Sequence, residues 1–337
     1  MRLLDRLDRL AALGDRIGYS PAEDRAHELA AGWFREAGLE VEVDAAGNLI
    51  GRIPGGAREV WTGSHLDTVP GAGRFDGTLG VLAGLEAVER LGLPGLGVVV
   101  FRDEERGCAG SKGLTARPDA YVEAHIEQGP TLLRADAPLG VVTAIVGYVR
   151  GRRTFTGTPG HAGTTPMDVR EDALVGAATF MLEAREVARG IEGAVATVGQ
   201  VTVEPGGTNV IPGRVVVSVD ARAPDAERLD RLAAALEIEE PVRTEPSPMS
   251  EEIRAALRAE VEALGLPVLE LPSGAGHDAG ILATAGIPSG MLFVRSLNGG
   301  VSHNPDELSS PEDIALAVEA LAGTLRRLVG GHGTSWL

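Results

Sequence analysis

The chain carries a single cysteine, Cys108, in 337 residues. One thiol cannot build an internal disulfide framework, so no cross-linked scaffold underlies the fold. No apolar run reaches the ~18 residues a membrane helix needs, and no membrane span is expected. Residues 1–13, MRLLDRLDRLAAL, read as an amphipathic charged helix. They lack an apolar stretch followed by a small-residue cleavage site, so a secretory signal is not expected and a cytoplasmic location is. Basic residues are in deficit, 31 Lys and Arg against 48 Asp and Glu, for a formal net charge of −17. That balance speaks against nucleic acid or an acidic membrane as partner, because nothing would neutralise phosphates. Bound divalent cations could offset part of the excess. No internal repeat, low-complexity tract or G-x-S-x-G elbow is present. With no partner identifiable for Cys108 either, a Ser or Cys nucleophile finds no support.

What is present suffices for two packed cores. Apolar residues make up 44% of the chain, and the length exceeds one ordinary core. Ser20-Pro21-Ala22-Glu23 opens a helix that runs to about residue 37, with Ser20 as N-cap and Glu23 completing a capping box. Residues 39–43 and 48–53 flank an Asp-Ala-Ala-Gly turn as a hairpin. Residues 59–62, 97–101 and 121–125 read as strands and 80–91 as a helix. The run GVVVF at 97–101 fits a strand buried on both faces. Polar residues stand at or just after the C-terminal ends of these three strands, the edge where open α/β sheets bind ligands.

From about residue 147 the texture changes. Residues 148–156, 194–203, 210–222 and 242–245 read as strands, and 166–187 and 224–236 as helices. The order β-α-β-β-α-β predicts a small sandwich of one antiparallel sheet and two helices. Residues 241–248 are Pro-rich and read as the return linker. Helices at 250–264, 278–285 and 310–328 and strands at 268–271 and 289–294 complete the chain. The fold class is therefore α/β, with a mixed-sheet main domain formed by residues 1–146 and 247–337. An α+β domain, 147–246, is inserted into it.

Chemistry concentrates in Gly-rich and strand-end segments. GSHLDTVPGAGRFDGTLG offers His65, Asp67 and Asp76, an imidazole and carboxylates able to hold a cation, and Gly77 leaves room for a close approach. A polar loop with acidic caps is the ordinary alternative. Glu104 and Glu105 sit at a strand end where the chain can turn both into one cleft. One would bind metal while the other stays free as a base, the two roles that metal-assisted hydrolysis requires. Alone, the pair could equally be an exposed acidic turn beside Arg102 and Arg106. His125, His161, His277 and His303 occupy similar contexts; His27 and His332 look structural.

The order GSHLDTVPGAGRFDGTLGVLAG, DEE, AHIEQGP, GHAGTTPMD, TNVIPG, GAGHDA, SHNPDE resembles the hydantoinase/carbamoylase amidases. That family includes N-carbamoyl-L-amino-acid hydrolases and allantoate amidohydrolases, within the dinuclear zinc aminoacylase/carboxypeptidase G superfamily. The resemblance runs from about Ser20 to Gly323, and seven blocks in order make it specific.

The resemblance implies two divalent metal ions per subunit, Zn, Mn or Co. His65 and His125 would hold one, Glu105 and His303 the other, with Asp76 bridging. Asp67 would orient His65. Glu104 would be the general base, taking a proton from the attacking water and returning it to the leaving nitrogen. His125 is the discriminating ligand, since aminoacylase-like relatives carry a carboxylate there. Gln128 would contact substrate, and His161 would stabilise the oxyanion. Asn209 and Arg222 would hold the substrate carboxylate, for which a planar guanidinium fork is suited. Gly276 and His277 would shape the pocket. The inserted domain would act as a lid and form a homodimer, with some of these residues reaching the partner subunit's site. Surface salt bridge, turn former and loop residue remain the ordinary roles for Arg222, Asn209 and His161.

Three departures from the family pattern stand out. Asp103 replaces a frequent Asn, the loop RGCAGS at 106–111 is short, and the inserted domain is trimmed between Asp225 and Pro248. They bear on substrate size, dimer surface and closure rather than on the ligands. The expected activity is hydrolysis of the ureido C–N bond of an N-carbamoyl-L-amino acid or a related acid such as allantoate. An N-acyl-amino-acid deacylase or dipeptidase using the same centre is the first alternative, and a metal-binding protein without turnover the second.

Overall fold

The computed structural model describes residues 2–330. His332 and the tail expected to fray lie outside the described residues. In chain order come helices α1 (Arg2–Ala11) and α2 (Pro21–Glu36), strands β1 (Glu40–Val43), β2 (Leu49–Arg52) and β3 (Val60–His65), and helix α3 (Thr78–Leu91). Strand β4 (Leu96–Phe101), short helix α4 (Ala109–Gly113), β5 (Ala120–Ile126), the single turn α5 (Thr131–Arg134) and β6 (Leu139–Ile145) follow. Next are β7 (Gly147–Thr156), β8 (Gly160–His161), α6 (Ala173–Arg189), β9 (Val195–Thr197), β10 (Val201–Glu204), β11 (Val210–Ile211), β12 (Arg214–Ala223), α7 (Ala226–Leu236) and β13 (Glu239–Thr244). The chain closes with β14 (Ser247–Pro248), α8 (Glu251–Ala263), β15 (Glu270–Ser273), α9 (Asp278–Thr284), β16 (Ser289–Val294) and α10 (Pro311–Gly330). Contacts divide it into two compact units, Met1–Thr143 with Pro248–Leu337, and Ala144–Ser247. Among the described residues, no helix is long and apolar enough to cross a membrane.

The first unit is built on a mixed sheet of order β1-β2-β4-β3-β5-β16-β6-β14, with β15 beside β6. β3, β4, β5 and β16 are mutually parallel where they pair; β1, β2 and β6 join antiparallel. Leu3 and Leu7 of α1, Leu82 and Leu85 of α3, Leu257 of α8 and Leu321 of α10 belong to one core with Val98 of β4 and Val122 of β5. β5 reads AYVEAHI, an alternation that normally marks a half-exposed strand. Here every residue is buried. Ala120, Val122, Ala124 and Ile126 enter the apolar core, whereas Tyr121, Glu123 and His125 point the other way. On that side, the N–H of Ala279 in α9 donates to Glu123, and His277 packs edge-on against His125.

The second unit is a five-stranded antiparallel sheet, β10-β12-β7-β13 with β9 on β12, plus a separate two-stranded ladder, β8 with β11. Ala177, Phe180 and Ala184 of α6 and Leu232 and Leu236 of α7 bury the inward row Val215, Val217, Val219 and Ala221 of β12.

Several expected boundaries shift. The helix expected from residue 166 begins at Ala173, after Asp172 caps it and a 3-10 turn at Met167–Val169 takes up the preceding chain. Gly199 breaks the strand expected over 194–203, and Pro212-Gly213 breaks the one over 210–222. β6, LGVVTAI, was not anticipated. The strand expected at 242–245 is β13, which begins earlier at Glu239, and the Pro-rich return segment also carries the short β14. Ser20 does cap α2, accepting from the Glu23 N–H, but Glu23 does not reach back to Ser20. Its carboxylate accepts instead from the N–H groups of Tyr19 and Asp103 and pairs with Arg102. The capping-box geometry gives way to a tie between α2 and the turn after β4.

His27, one turn along α2, faces the same interior. Burial, aided by the Arg102 charge, pushes its imidazole down to about 3. A group depressed in this way stays neutral in the fold while the unfolded chain takes up a proton. Its stability contribution is therefore complete above ~6.5 and lost as pH falls toward 3. Glu23 acts oppositely: burial raises it to about 6, so its contribution is present at low pH and lost as pH rises through 6. Near pH 5 the protonation of unfolded His27 should cost ~2 kcal/mol. Urea unfolding of metal-free protein at neutral pH and near pH 5 tests this. The wild type should lose that much more than His27→Gln; equal losses would refute it.

Candidate metal centre

β3 ends on His65, the turn after β4 carries Glu104 and Glu105, and β5 delivers His125 as its penultimate residue. Asp76 lies two residues before α3. Gly77, between them, has φ +60, and a Cβ there would sit 2.4 Å from His65 Cε1. The space that this glycine leaves is filled by the His65 ring. No other residue type fits both the backbone and the contact.

Asp76 is the hub. Its Oδ1 lies 3.1 Å from His125 Nε2 and 3.6 Å from His65 Nε2. Its Oδ2 lies 3.4 Å from His303 Nε2, which is also 3.4 Å from Glu105 Oε2. His65, Asp76 and His125 form one set of converging ligand atoms, and Asp76, Glu105 and His303 a second. The rings are oriented from behind. His125 Nδ1 lies 2.9 Å from the Ile126 carbonyl, and His65 Nδ1 lies 3.2 Å from both the carbonyl and Oδ1 of Asp67. A proton on each Nδ1 satisfies those oxygens and turns each Nε2 lone pair toward Asp76.

Asp67 does two jobs at once. Besides facing His65, its two oxygens accept the N–H groups of Glu104 and Glu105, each at 3.1 Å. The Glu104 carbonyl accepts from Gly107 and Cys108 N–H, and the Cys108 thiol donates to Oε1 at 3.6 Å. Glu104 Oε2 stands 3.8 Å from His65 Nε2. Cys108 thus has a partner after all, but not one that would activate it. Burial and the neighbouring Asp278 and Glu104 push the thiol up, so it stays protonated.

The site is short of positive charge. Burial opposes a charged His125, yet Asp76 outweighs it and raises the ring to about 9. His303, hydrogen-bonded to Asp76, also rises to about 9. Burial lifts Glu104 to about 7, with Glu105 adding like-charge repulsion. Carboxylates crowded in this way demand cations or protons. Glu105 Oε1 and Gln128 Oε1 are buried without a hydrogen-bond partner, and such atoms call for one. Imidazole and carboxylate donors with orphaned oxygens fit divalent transition cations.

Four contributors escaped the sequence reading. Glu307 Oε1 accepts the N–H groups of Phe75 and Asp76, and its Oε2 accepts from Ser302, whose hydroxyl lies 3.0 Å from Asp76 Oδ2. Glu123 accepts from Ser64 and Ala279 behind the two histidines. Arg16 donates to the carbonyl of Leu66. The SHNPDE block did contain Ser302 and Glu307, but nothing in its spacing marked them. Gln128 donates to Asp76 Oδ2 at 2.7 Å from a left-handed backbone, φ 56. His277 sits against His125 with Nε2 2.9 Å from Ser273 Oγ, and Gly276 has open space where a side chain would be.

The remaining candidates belong to the second unit. His161 on β8 pairs with Val210 of β11, and the Ala162 N–H donates to the Asn209 carbonyl, so His161 and Asn209 are neighbours. Arg222 is elsewhere. His161 and Asn209 hang from the Arg214 end of β12, while Arg222 is eight steps along it, about 26 Å by strand rise. Asn209 and Arg222 therefore do not grip one carboxylate from a single chain. Arg222 Nε and Nη2 pair with both oxygens of Asp220, at 2.9 and 3.2 Å, and Asp220 also takes Arg150.

Residues 61–327 match the family described as Peptidase family M20/M25/M40. The chain is similar to an N-carbamoyl-L-amino acid amidohydrolase of Geobacillus stearothermophilus, 38% identical over 406 residues, covering 98% of this chain and 99% of that protein. That alignment is longer than the 337-residue chain, so it opens gaps in this chain. An allantoate amidohydrolase of Escherichia coli K12 is 32% identical, over 93% of this chain and 92% of that protein. Among solved structures, a hydantoinase/carbamoylase family amidase of Burkholderia multivorans superposes with a TM-score of 0.86 at 32% identity, over 96% of each chain. Matched in sequence and fold over nearly its whole length, the chain belongs to Peptidase family M20/M25/M40, among its hydantoinase/carbamoylase amidases.

Proposed function

We propose that the chain hydrolyses the ureido C–N bond of N-carbamoyl-L-amino acids or related ureido acids such as allantoate. The observation that carries this reading is Asp76 shared between two ligand sets, one of them containing His125, with the raised carboxyl of Glu104 alongside. His65 and His125 would hold one divalent ion, Glu105 and His303 a second, with Asp76 common to both. Bound there, the ions (Zn, Mn or Co) would acidify a water molecule and polarise the substrate carbonyl.

The protein's own residues would do the rest. Glu104 takes the proton of the attacking water at its carboxylate and returns it to the leaving nitrogen. Asp67 fixes that carboxylate by the two backbone N–H groups it accepts and fixes His65 through Nδ1. Gln128 holds Asp76 and meets the substrate. His161 donates to the developing oxyanion. Asn209 and Arg222 bind the substrate carboxylate, contributed by different subunits, while Gly276 and His277 shape the pocket. Attack on the carbamoyl carbon releases the amine, and the carbamic acid left behind breaks down to carbon dioxide and ammonia. The inserted unit serves as lid and dimer surface. Leu174, Val175 and Leu182 on the outer side of α6 leave an apolar stripe in solvent, as a homodimer contact would.

A panel of carbamoyl-, acetyl- and dipeptide substrates on enzyme reconstituted with Mn²⁺, Co²⁺ or Zn²⁺ tests the assignment. Carbamoyl substrates should be turned over at least ~10-fold faster, because a site built to pair the terminal amide leaves groups unpaired when it is absent. Preference for acetyl or peptide bonds would reassign the chain as a deacylase or dipeptidase. Metal uptake with no hydrolysis at all would make it a binding protein.

A further inference from the structure

Arg16 is 2% exposed, and its side chain donates to four oxygens on three segments. Nε reaches the Leu66 carbonyl at 2.6 Å, and Nη2 reaches Thr78 Oγ1 at 3.0 Å. Nη1 reaches the carbonyls of Leu10 and Gly14 at 3.2 and 3.3 Å. Its backbone adds two bonds to Thr68, N–H to Oγ1 at 2.9 Å and carbonyl from N–H at 3.0 Å. Leu66 lies between His65 and Asp67, and Thr78 lies two residues after Asp76. One planar fork therefore spans the two segments that carry the hub carboxylate and the first imidazole. Arg16 lies before residue 61, where the match to the family model begins.

We propose that Arg16 is a positioning residue for the metal centre, through which the N-terminal arm sets the spacing between His65 and Asp76. The inference rests on reading those two residues as ligands. Burial lowers the guanidinium's pKa, and the nearby charges of Asp67 and Asp15 offset part of that effect. A guanidinium can bridge a carbonyl and a hydroxyl from adjacent nitrogens; an ammonium at the end of a flexible stem cannot hold both in one geometry.

The test is release of Co²⁺ from the full-length loaded protein to excess chelator, followed by absorbance. Arg16→Lys should release Co²⁺ ~10-fold faster, the usual size of losing a partner that orients ligands. Thr78→Val, which removes one end of the bridge, should release it roughly threefold faster. Val261→Ala, a cavity in α8 of the same core, should release at the wild-type rate despite lower stability. Wild-type release from both Arg16→Lys and Thr78→Val would overturn the proposal, as would release from Val261→Ala as fast as theirs. Should Arg16→Lys fail to fold, Thr78→Val against Val261→Ala decides. Absence of ureido hydrolysis in the wild type would sink the proposed reaction and leave this readout standing. A wild type that takes up no Co²⁺ would sink the ligand reading and this inference with it.

Discussion

Replacing Glu104 by Gln should lower turnover by at least ~10²-fold while metal content and fold are kept, the size of a general-base contribution. The substitution is isosteric, so the anchors survive. The Glu104 N–H still donates to Asp67, and its carbonyl still accepts from Gly107 and Cys108. What is lost is a proton acceptor placed beside both ligand sets, its Oε2 3.8 Å from His65 Nε2, where a base can both take and return a proton. Glu105, the neighbouring carboxylate, cannot substitute, because its side chain is turned to His303, 3.4 Å away. Turnover and metal content measured on one preparation decide the point. Wild-type-like turnover in the metal-replete variant would refute the assignment.

The second large effect concerns His161. Removing an oxyanion donor costs ~10²–10³-fold, and His161→Ala should lose that much. The arrangement along β12 makes a sharper expectation. Arg222 sits at one end of the strand, and His161 with Asn209 is attached at the other. If each site draws its oxyanion donor from the partner subunit, a mixed dimer of Glu104→Gln and His161→Ala holds one site with both groups intact. Unfolding and refolding the two inactive variants together should then restore on the order of a quarter of wild-type activity, since half the dimers are mixed and half their sites are whole. Activity no greater than the sum of the parents would show that His161 serves its own subunit.

The residues of the site are unequally visible in the sequence. His65, Asp76, Glu104, Glu105, His125 and His303 stand in glycine-rich or strand-end segments, and it is the ordered series of blocks around them, not any one block, that suggests their roles. The β-branched run of β4 and the glycine-flanked strand ends likewise announce a sheet edge. Glu307, Glu123 and Arg16 do not stand out. Their importance lies in partners far along the chain, such as the Phe75 and Asp76 N–H groups that Glu307 accepts. Long-range backbone pairing leaves no local pattern. Strand β5 differs again: its alternation of apolar and polar residues would ordinarily accompany a solvent face, and the polar side is instead buried against α9. The resemblance assigns Asn209 and Arg222 to one carboxylate, and sequence does not show that the break at Pro212-Gly213 and the length of β12 set them far apart within a chain.

The burial of Cys108 carries a practical corollary. Its thiol is enclosed and held in the uncharged form, so maleimide dyes should leave the native protein unlabelled. Two cysteines introduced on the surface, one on each compact unit, would then be the reactive thiols of the molecule. Energy transfer between two such dyes would show whether the distance between the units changes during turnover, without a cysteine-free background first having to be engineered.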